Sequence, residues 1–257
     1  MTQQAPRSLR HEYELYVERE IENYKDSVPR IALLGIGDEA VAALGAQPQL
    51  ALTELLLCEE VDRIIRQRLR VPTYQAWRRR RLRMIERYRR PEHWGLEPDG
   101  ALVRAIGAAA ERRVLVAGAS VEGAALYLAA NGCDVTALES TEDVVERVMS
   151  AAGAAGLSQR LRSSAIELRD WAPDVPLNAV ICTPAAFDGL SATERASVIG
   201  QLQAATTCGG VHLVETIVPG RTPVTLEELR TRYIGWDICV EGARSASDSF
   251  LARKALA

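Results

Sequence analysis

Lysine is almost absent from this chain. Only Lys25 and Lys254 occur in 257 residues, one near each end. A phosphate loop of the GKS/GKT kind needs its lysine directly after the glycines, so that loop is excluded. A Schiff-base lysine inside the region between them is excluded for the same reason. Histidine is also scarce, with His11, His93 and His212 alone, and no metal site is expected. The five cysteines, Cys58, Cys133, Cys182, Cys208 and Cys239, are odd in number and form no C-x-x-C pair. They read as reduced thiols. No G-x-S-x-G elbow occurs, which leaves a hydrolase triad without support. No stretch approaches the ~18 to 20 uninterrupted apolar residues of a membrane span, and the first twenty residues carry no apolar signal region. The expected location is the cytoplasm, with no membrane partner. The formal net charge of -3 gives the whole molecule no strong pull toward nucleic acid.

What is present falls into two parts. Up to about residue 98 the pattern is helical. Apolar residues recur at helical spacing over Leu9 to Lys25, Ala32 to Leu44, Leu50 to Leu69 and Tyr74 to Arg89, and Pro29, Pro48, Pro72 and Pro91 punctuate them. The segment GLEPDG, Gly95 to Gly100, reads as a linker. From residue 99 onward strands alternate with helices. Strands are expected at Val114–Gly118, Asp134–Glu139, Leu161–Ile166, Asn178–Thr183, Gly209–Thr216, Trp236–Glu241 and Ser249–Ala255. Such alternation implies a mostly parallel sheet covered on both faces. The last two strands have no helix between them and should form an antiparallel hairpin.

The turn after the first strand, GASVEGAALYLA from Gly118 to Ala129, is the first place where chemistry is expected. A glycine turn between strand and helix lets backbone N–H groups approach a ligand. Glu139 ends the second strand 21 positions later. An acid about 20 residues beyond such a turn commonly holds ribose hydroxyls, so the pair points to an adenosine-containing ligand.

The blocks LYLAANGCDVTALE, IELRDW, NAVICTPAAF, GGVHLVET, LEELRTRYIGWDICVE and SFLARKA follow one another in this order. Together they resemble the class I S-adenosylmethionine (SAM) methyltransferases, nearest to the small-molecule branch that includes the tellurite-resistance type. The resemblance covers Arg113 to Ala257. It implies a Rossmann-like α/β fold with a seven-stranded, mostly parallel sheet, and the helical spacing ahead of it makes the N-terminal region all-helical. The resemblance implies SAM as cofactor and a small-molecule acceptor. Gly118 would lie under the methionine part, Ser120 in the same turn, and Glu139 at the ribose. Glu167 would meet the adenine amine and Leu168 its ring, and Thr183 with Pro184 would stand at the mouth of the fourth strand. The resemblance names no catalytic residue. Three positions depart from the family's acid-and-glycine motif: Val116, Ser120 and Glu122 stand where it has an acid and two glycines. A degenerate, non-catalytic protein that binds a partner or forms a homo-oligomer through its helical region is therefore the alternative.

VLVAGASVEG also resembles the start of short-chain dehydrogenases. Those need a Tyr-x-x-x-Lys pair, and no lysine is placed to supply it. From Arg63 to Arg90 the chain carries twelve arginines and a single acid, Glu86. This stretch reads as the solvated face of two helices, and a nucleic-acid partner is the third and least favoured reading. His212 alternates with Val211 and Leu213 and reads as a satisfied core histidine.

Overall fold

The structure, a computed structural model, describes residues 8–45, 54–106, 112–119, 121–242 and 247–256. It divides into two compact units, one ending at Met84 and one running from Ile85.

The first unit is built from helices. α1 (Leu9–Ser27) starts at Ser8, whose hydroxyl accepts from the His11 backbone N–H, one of the donors a helix start leaves unpaired. α2 (Arg30–Gly45), α3 (Glu54–Arg68) and α4 (Tyr74–Tyr88) follow. Residues 50–53 of the third expected helix lie outside the described residues. Val17, Ile21, Ile36, Ala40, Ile64 and Ile65 form the core. One acid of α1 meets the arginine-rich stretch, where Arg81 pairs with Glu12 at 3.0 Å. The Tyr13 hydroxyl donates to the Pro72 carbonyl at 2.9 Å. Arg78, Arg79, Arg80 and Arg83 are exposed.

The second unit carries a seven-stranded sheet. Its strands are β1 (Arg113–Ala117), β2 (Asp134–Leu138), β3 (Leu161–Ser164), β4 (Leu177–Cys182), β5 (Thr206–Ile217), β6 (Asp237–Gly242) and β7 (Asp248–Arg253). The order across the sheet is β3-β2-β1-β4-β5-β7-β6. β1 to β5 are parallel, and β7 runs antiparallel to both β5 and β6. The expected hairpin is formed. Residues facing opposite ways on each strand feed two cores. Val114, Val116, Ala137, Ile181 and Leu213 pack with α5 (Ala101–Ile106), α6 (Glu122–Ala130) and α7 (Glu142–Ala155). Leu115, Ala117, Val180, Cys182, Val214 and Phe250 pack with α8 (Ala192–Ala205) and α9 (Leu226–Arg232). Burial on both faces explains why these strands read as continuous apolar runs.

Side chains set the helix starts. Thr141 accepts from the Val144 N–H ahead of α7, and Ser191 and Glu194 form a reciprocal capping pair ahead of α8. Three elements were not legible beforehand: 3-10 turns at Pro91–Trp94 and Pro184–Phe187, and the helix α5. Trp94 and Leu96 pack against the first core, so Gly95–Gly100 is a loop inside the sheet unit that leads into α5.

Candidate functional site

The sheet reverses its strand order between β1 and β4, the point at which open α/β sheets bind ligands beyond the strand ends. The register fixes which residues meet there. Ala117 aligns with Leu138 and with Cys182, and Cys182 aligns with Val214. The next residue on each strand therefore stands in one row at the C-terminal edge: Glu139, Gly118, Thr183 and Glu215. Three of these are residues the sequence singles out. Neighbours in such a row are spaced at about 4.8 Å.

Gly118 has φ +114°, and a Cβ there would lie 2.2 Å from the Thr183 Oγ1. Thr183 donates its backbone N–H to Ala117 O at 3.0 Å and its hydroxyl to Ala119 O at 3.3 Å. The turn is thus clamped to the end of β4, and only glycine fits the conformation and the gap. Ser120 lies outside the described residues. Val116 is fully buried in the first core, at 0% exposure, and offers no charge for a ligand's ammonium group. At Gly123 an added Cβ would meet the Trp94 carbonyl at 2.3 Å. The absence of a side chain there admits the protein's own backbone. Trp94 is held in turn by its indole N–H, which donates to Tyr88 O at 2.7 Å, and by ring contacts with Tyr88 and His93.

Glu139 is a buried carboxylate left partly unsatisfied, and the Ser163 hydroxyl of β3 is a second buried group without a partner among the described residues of the sheet unit. Glu139 is only 5% exposed, and its Oε1 has no hydrogen-bond partner among the described residues. Burial, with the negative charge of Glu122 second, pushes its carboxyl up to about 7, against the pull of Arg147. Glu122 itself pairs with Arg147 of α7 at 2.6 Å. Arg147 is a residue that sequence reasoning missed: the acid standing in place of a motif glycine has its own counterion. Only a helical register linking positions 122 and 147 across two elements would have shown it.

Glu167 and Leu168 follow β3 and lie outside the row. Glu167 is exposed and pairs with Arg169 at 2.5 Å. Leu168 is 5% exposed and packs in the second core, with Trp171 beside it. His212 is enclosed. Its Nε2 lies 2.7 Å from the Thr206 hydroxyl and its Nδ1 2.7 Å from the Tyr233 hydroxyl. Thr206 also donates to the Leu202 carbonyl at 2.7 Å. Its single hydroxyl proton is spent there, so it accepts from Nε2–H, and Nδ1 accepts from Tyr233. That chain fixes a neutral imidazole. Burial, with the Lys254 charge second, pushes its pKa down to about 3. Among the described residues no cluster of three His, Cys, Asp or Glu side chains could hold a metal, and no helix is long and apolar enough to cross a membrane. A cavity of about 190 Å³ lies apart from the row, between α5 and the β6–β7 hairpin, where Arg104 pairs with Glu241.

No family model and no curated protein matches the chain. Solved structures do. TehB from Haemophilus influenzae matches with a TM-score of 0.50 and 19% identity, over 60% of this chain and 61% of that one, so the chain spans less than two thirds of TehB's length. CalS10, an amino pentose methyltransferase from Micromonospora echinaspora solved with SAM bound, matches with a TM-score of 0.48 and 16% identity over 60% of this chain and 88% of that one. The N-methyltransferase NodS from Bradyrhizobium japonicum matches with a TM-score of 0.47 and 12% identity over 60% and 92%. At these identities the likeness is one of architecture, and the seven-stranded, mostly parallel sheet with its helices is a methyltransferase fold.

Proposed function

We propose that the sheet unit binds SAM across Glu139 and Gly118 and methylates a small-molecule acceptor. One observation carries the reading: a carboxylate 5% exposed, with an oxygen lacking a partner among the described residues, stands at the end of β2 beside the strand-order reversal. An unpaired buried carboxylate costs free energy unless something donates to it. Two vicinal hydroxyls of a ribose supply such donors, and the Gly118 turn leaves backbone close by. When bound, SAM supplies an electrophilic methyl group on a sulfonium. The protein's part is placement. Glu139 holds the sugar end, and the Thr183 clamp keeps the Gly118 turn in its ligand-facing conformation. The Glu122–Arg147 pair cancels a charge that would otherwise oppose the ligand's carboxylate. Methyl transfer needs little further catalysis once nucleophile and methyl are in line.

A second reading keeps the fold without the reaction. Val116 is sealed in the core and the Trp94 carbonyl fills the space at Gly123, which favours a protein that has given part of the glycine turn to its own packing. Calorimetry with S-adenosylhomocysteine separates the two. Micromolar binding that falls by one to two decades in Glu139→Ala supports the first, since charge-assisted hydrogen bonds contribute about 1.5 to 3 kcal/mol. No binding at millimolar ligand establishes the second.

A further inference from the structure

We propose that Glu215 is the acceptor-side carboxylate of this site and that it binds the ammonium group of a small amine. The inference rests on the ligand reading above and names the substrate class it leaves open.

Glu215 follows Val214, the last β5 residue paired with β4, and so stands beside Thr183 in the strand-end row. It is two strands from Gly118, on the side away from Glu139. A ligand held by Glu139 and Gly118 leaves the ends of β4 and β5 for a second molecule. The chain does something unusual to put a carboxylate there. The pairing of β5 with β7 slips between Val214 and Ile217. Thr216 adopts φ +61°, a left-handed conformation in a β-branched residue, and such strain persists only where the surrounding structure enforces it. Bulges of this sort redirect a side chain and gather beside active sites.

Glu215 points to the face that carries Gly118 and Thr183. Cys182 and Val214 belong to the second core, alternation turns their successors the other way, and the Glu215 carboxylate accepts from the backbone N–H of Leu102 on the first-core helix α5. That single N–H uses one of the carboxylate's several acceptor sites. Among the described residues no cation pairs with it, although it is half-buried. Burial holds its carboxyl above the ordinary glutamate range, against the pull of the Leu102 N–H. A carboxylate that is partly desolvated and lacks a counterion gains most from a ligand carrying its own positive charge and N–H donors. A neutral alcohol offers one donor and no charge, and a carboxylic acid anion is repelled.

The test uses the full chain with n-butylamine, n-butanol and butyrate as matched probes at neutral pH, followed by NMR. The wild type should bind the amine at least about tenfold more tightly than the alcohol, with butyrate weakest. Glu215→Gln keeps an acceptor for Leu102 and should erase the preference while leaving S-adenosylhomocysteine affinity within twofold. Should that variant fail to fold, the carboxyl carbon signal of Glu215 in the wild type, assigned with the help of Glu215→Asp, must shift with the amine and stay still with the alcohol. Equal or undetectable binding of all three probes, or an amine preference that survives Glu215→Gln, overturns the proposal. An amine preference that depends on Glu215 in a protein that does not bind S-adenosylhomocysteine sinks the methyl-donor reading and leaves this one standing.

Discussion

Two buried ionisable groups of the sheet unit face opposite fates. His212 sits in mid-strand with both ring nitrogens engaged, in a chain that runs from Tyr233 through the imidazole and Thr206 to the Leu202 carbonyl. Glu139 sits at a strand end with one oxygen unpaired among the described residues. Their pKa values move in opposite chemical directions, down to about 3 and up to about 7, and burial is the leading cause of both. Each shift favours the neutral form. The difference lies in what surrounds it. The histidine network is closed and completes the core, whereas the glutamate row is open and needs a donor from outside the chain. A buried polar group is thus a structural feature or a binding site according to whether its partners are already present.

The largest effect is expected from removing the clamp that shapes the open row. Gly118→Ala forces a side chain into a positive-φ position and into the Thr183 hydroxyl. A cost of about 3 kcal/mol or more is expected, read as a Tm drop of roughly 6 to 12 °C. A neutral result would show that the turn relaxes freely and that Thr183 does not hold it.

Opening the closed network comes next. Tyr233→Phe leaves His212 Nδ1 without a donor, at a cost of about 1 to 3 kcal/mol. The pH dependence carries a definite sign. A histidine whose folded pKa lies below its unfolded value contributes stability that is present above pH 6.5 and is lost as pH falls toward 3. Denaturant unfolding of the wild type should weaken over that window. A His212→Phe, Tyr233→Phe double variant should show a shallower acid slope. Equal slopes would remove His212 from the account.

Glu139 should show the opposite dependence, with a smaller effect. Its folded pKa lies above its unfolded value, so its contribution is fully present below about pH 4.5 and is lost as pH rises through about 7. Glu139→Gln should therefore stabilise the protein by about 1 to 2 kcal/mol at pH 8 and change little near pH 4.5. A carboxylate kept at a cost to stability is what a ligand contact requires, and destabilisation at pH 8 would point instead to an internal partner for Glu139.

Much of this contrast was legible in the sequence. Alternation of apolar runs with capped helices gave the seven strands and the terminal hairpin, because parallel strands buried on both faces and helices begun by Thr141 or Ser191 leave local marks. Gly118, Glu139 and Thr183 could be placed because each directly follows a recognisable strand. The enclosed state of His212 followed from its two apolar neighbours. What stayed hidden depends on contacts far apart in the chain. Arg147 answers Glu122 across two helices. The Trp94 carbonyl occupies Gly123 from a segment that reads as a domain junction. Helix α5 is six residues long, too short for its periodicity to register. Glu215 looks like the end of an ordinary strand until the slipped pairing of β5 and the left-handed Thr216 are seen. Glu167 and Leu168 were placed by resemblance alone, and their side chains leave the loop in different directions, one to Arg169 and one to the second core.

The most direct test of the central claim is the pH dependence of S-adenosylhomocysteine affinity, measured by calorimetry on the wild type and on Glu139→Gln at pH 6 and pH 8. Ribose hydroxyls donate to the ionised carboxylate, and the unliganded group titrates at about 7. The wild type should bind several-fold more tightly at pH 8 than at pH 6. Glu139→Gln should bind about ten- to a hundredfold more weakly at pH 8 and lose the pH dependence. Wild-type affinity that is equal at both pH values, or a Gln variant that matches the wild type at pH 8, would contradict the account and take Glu139 out of the binding site.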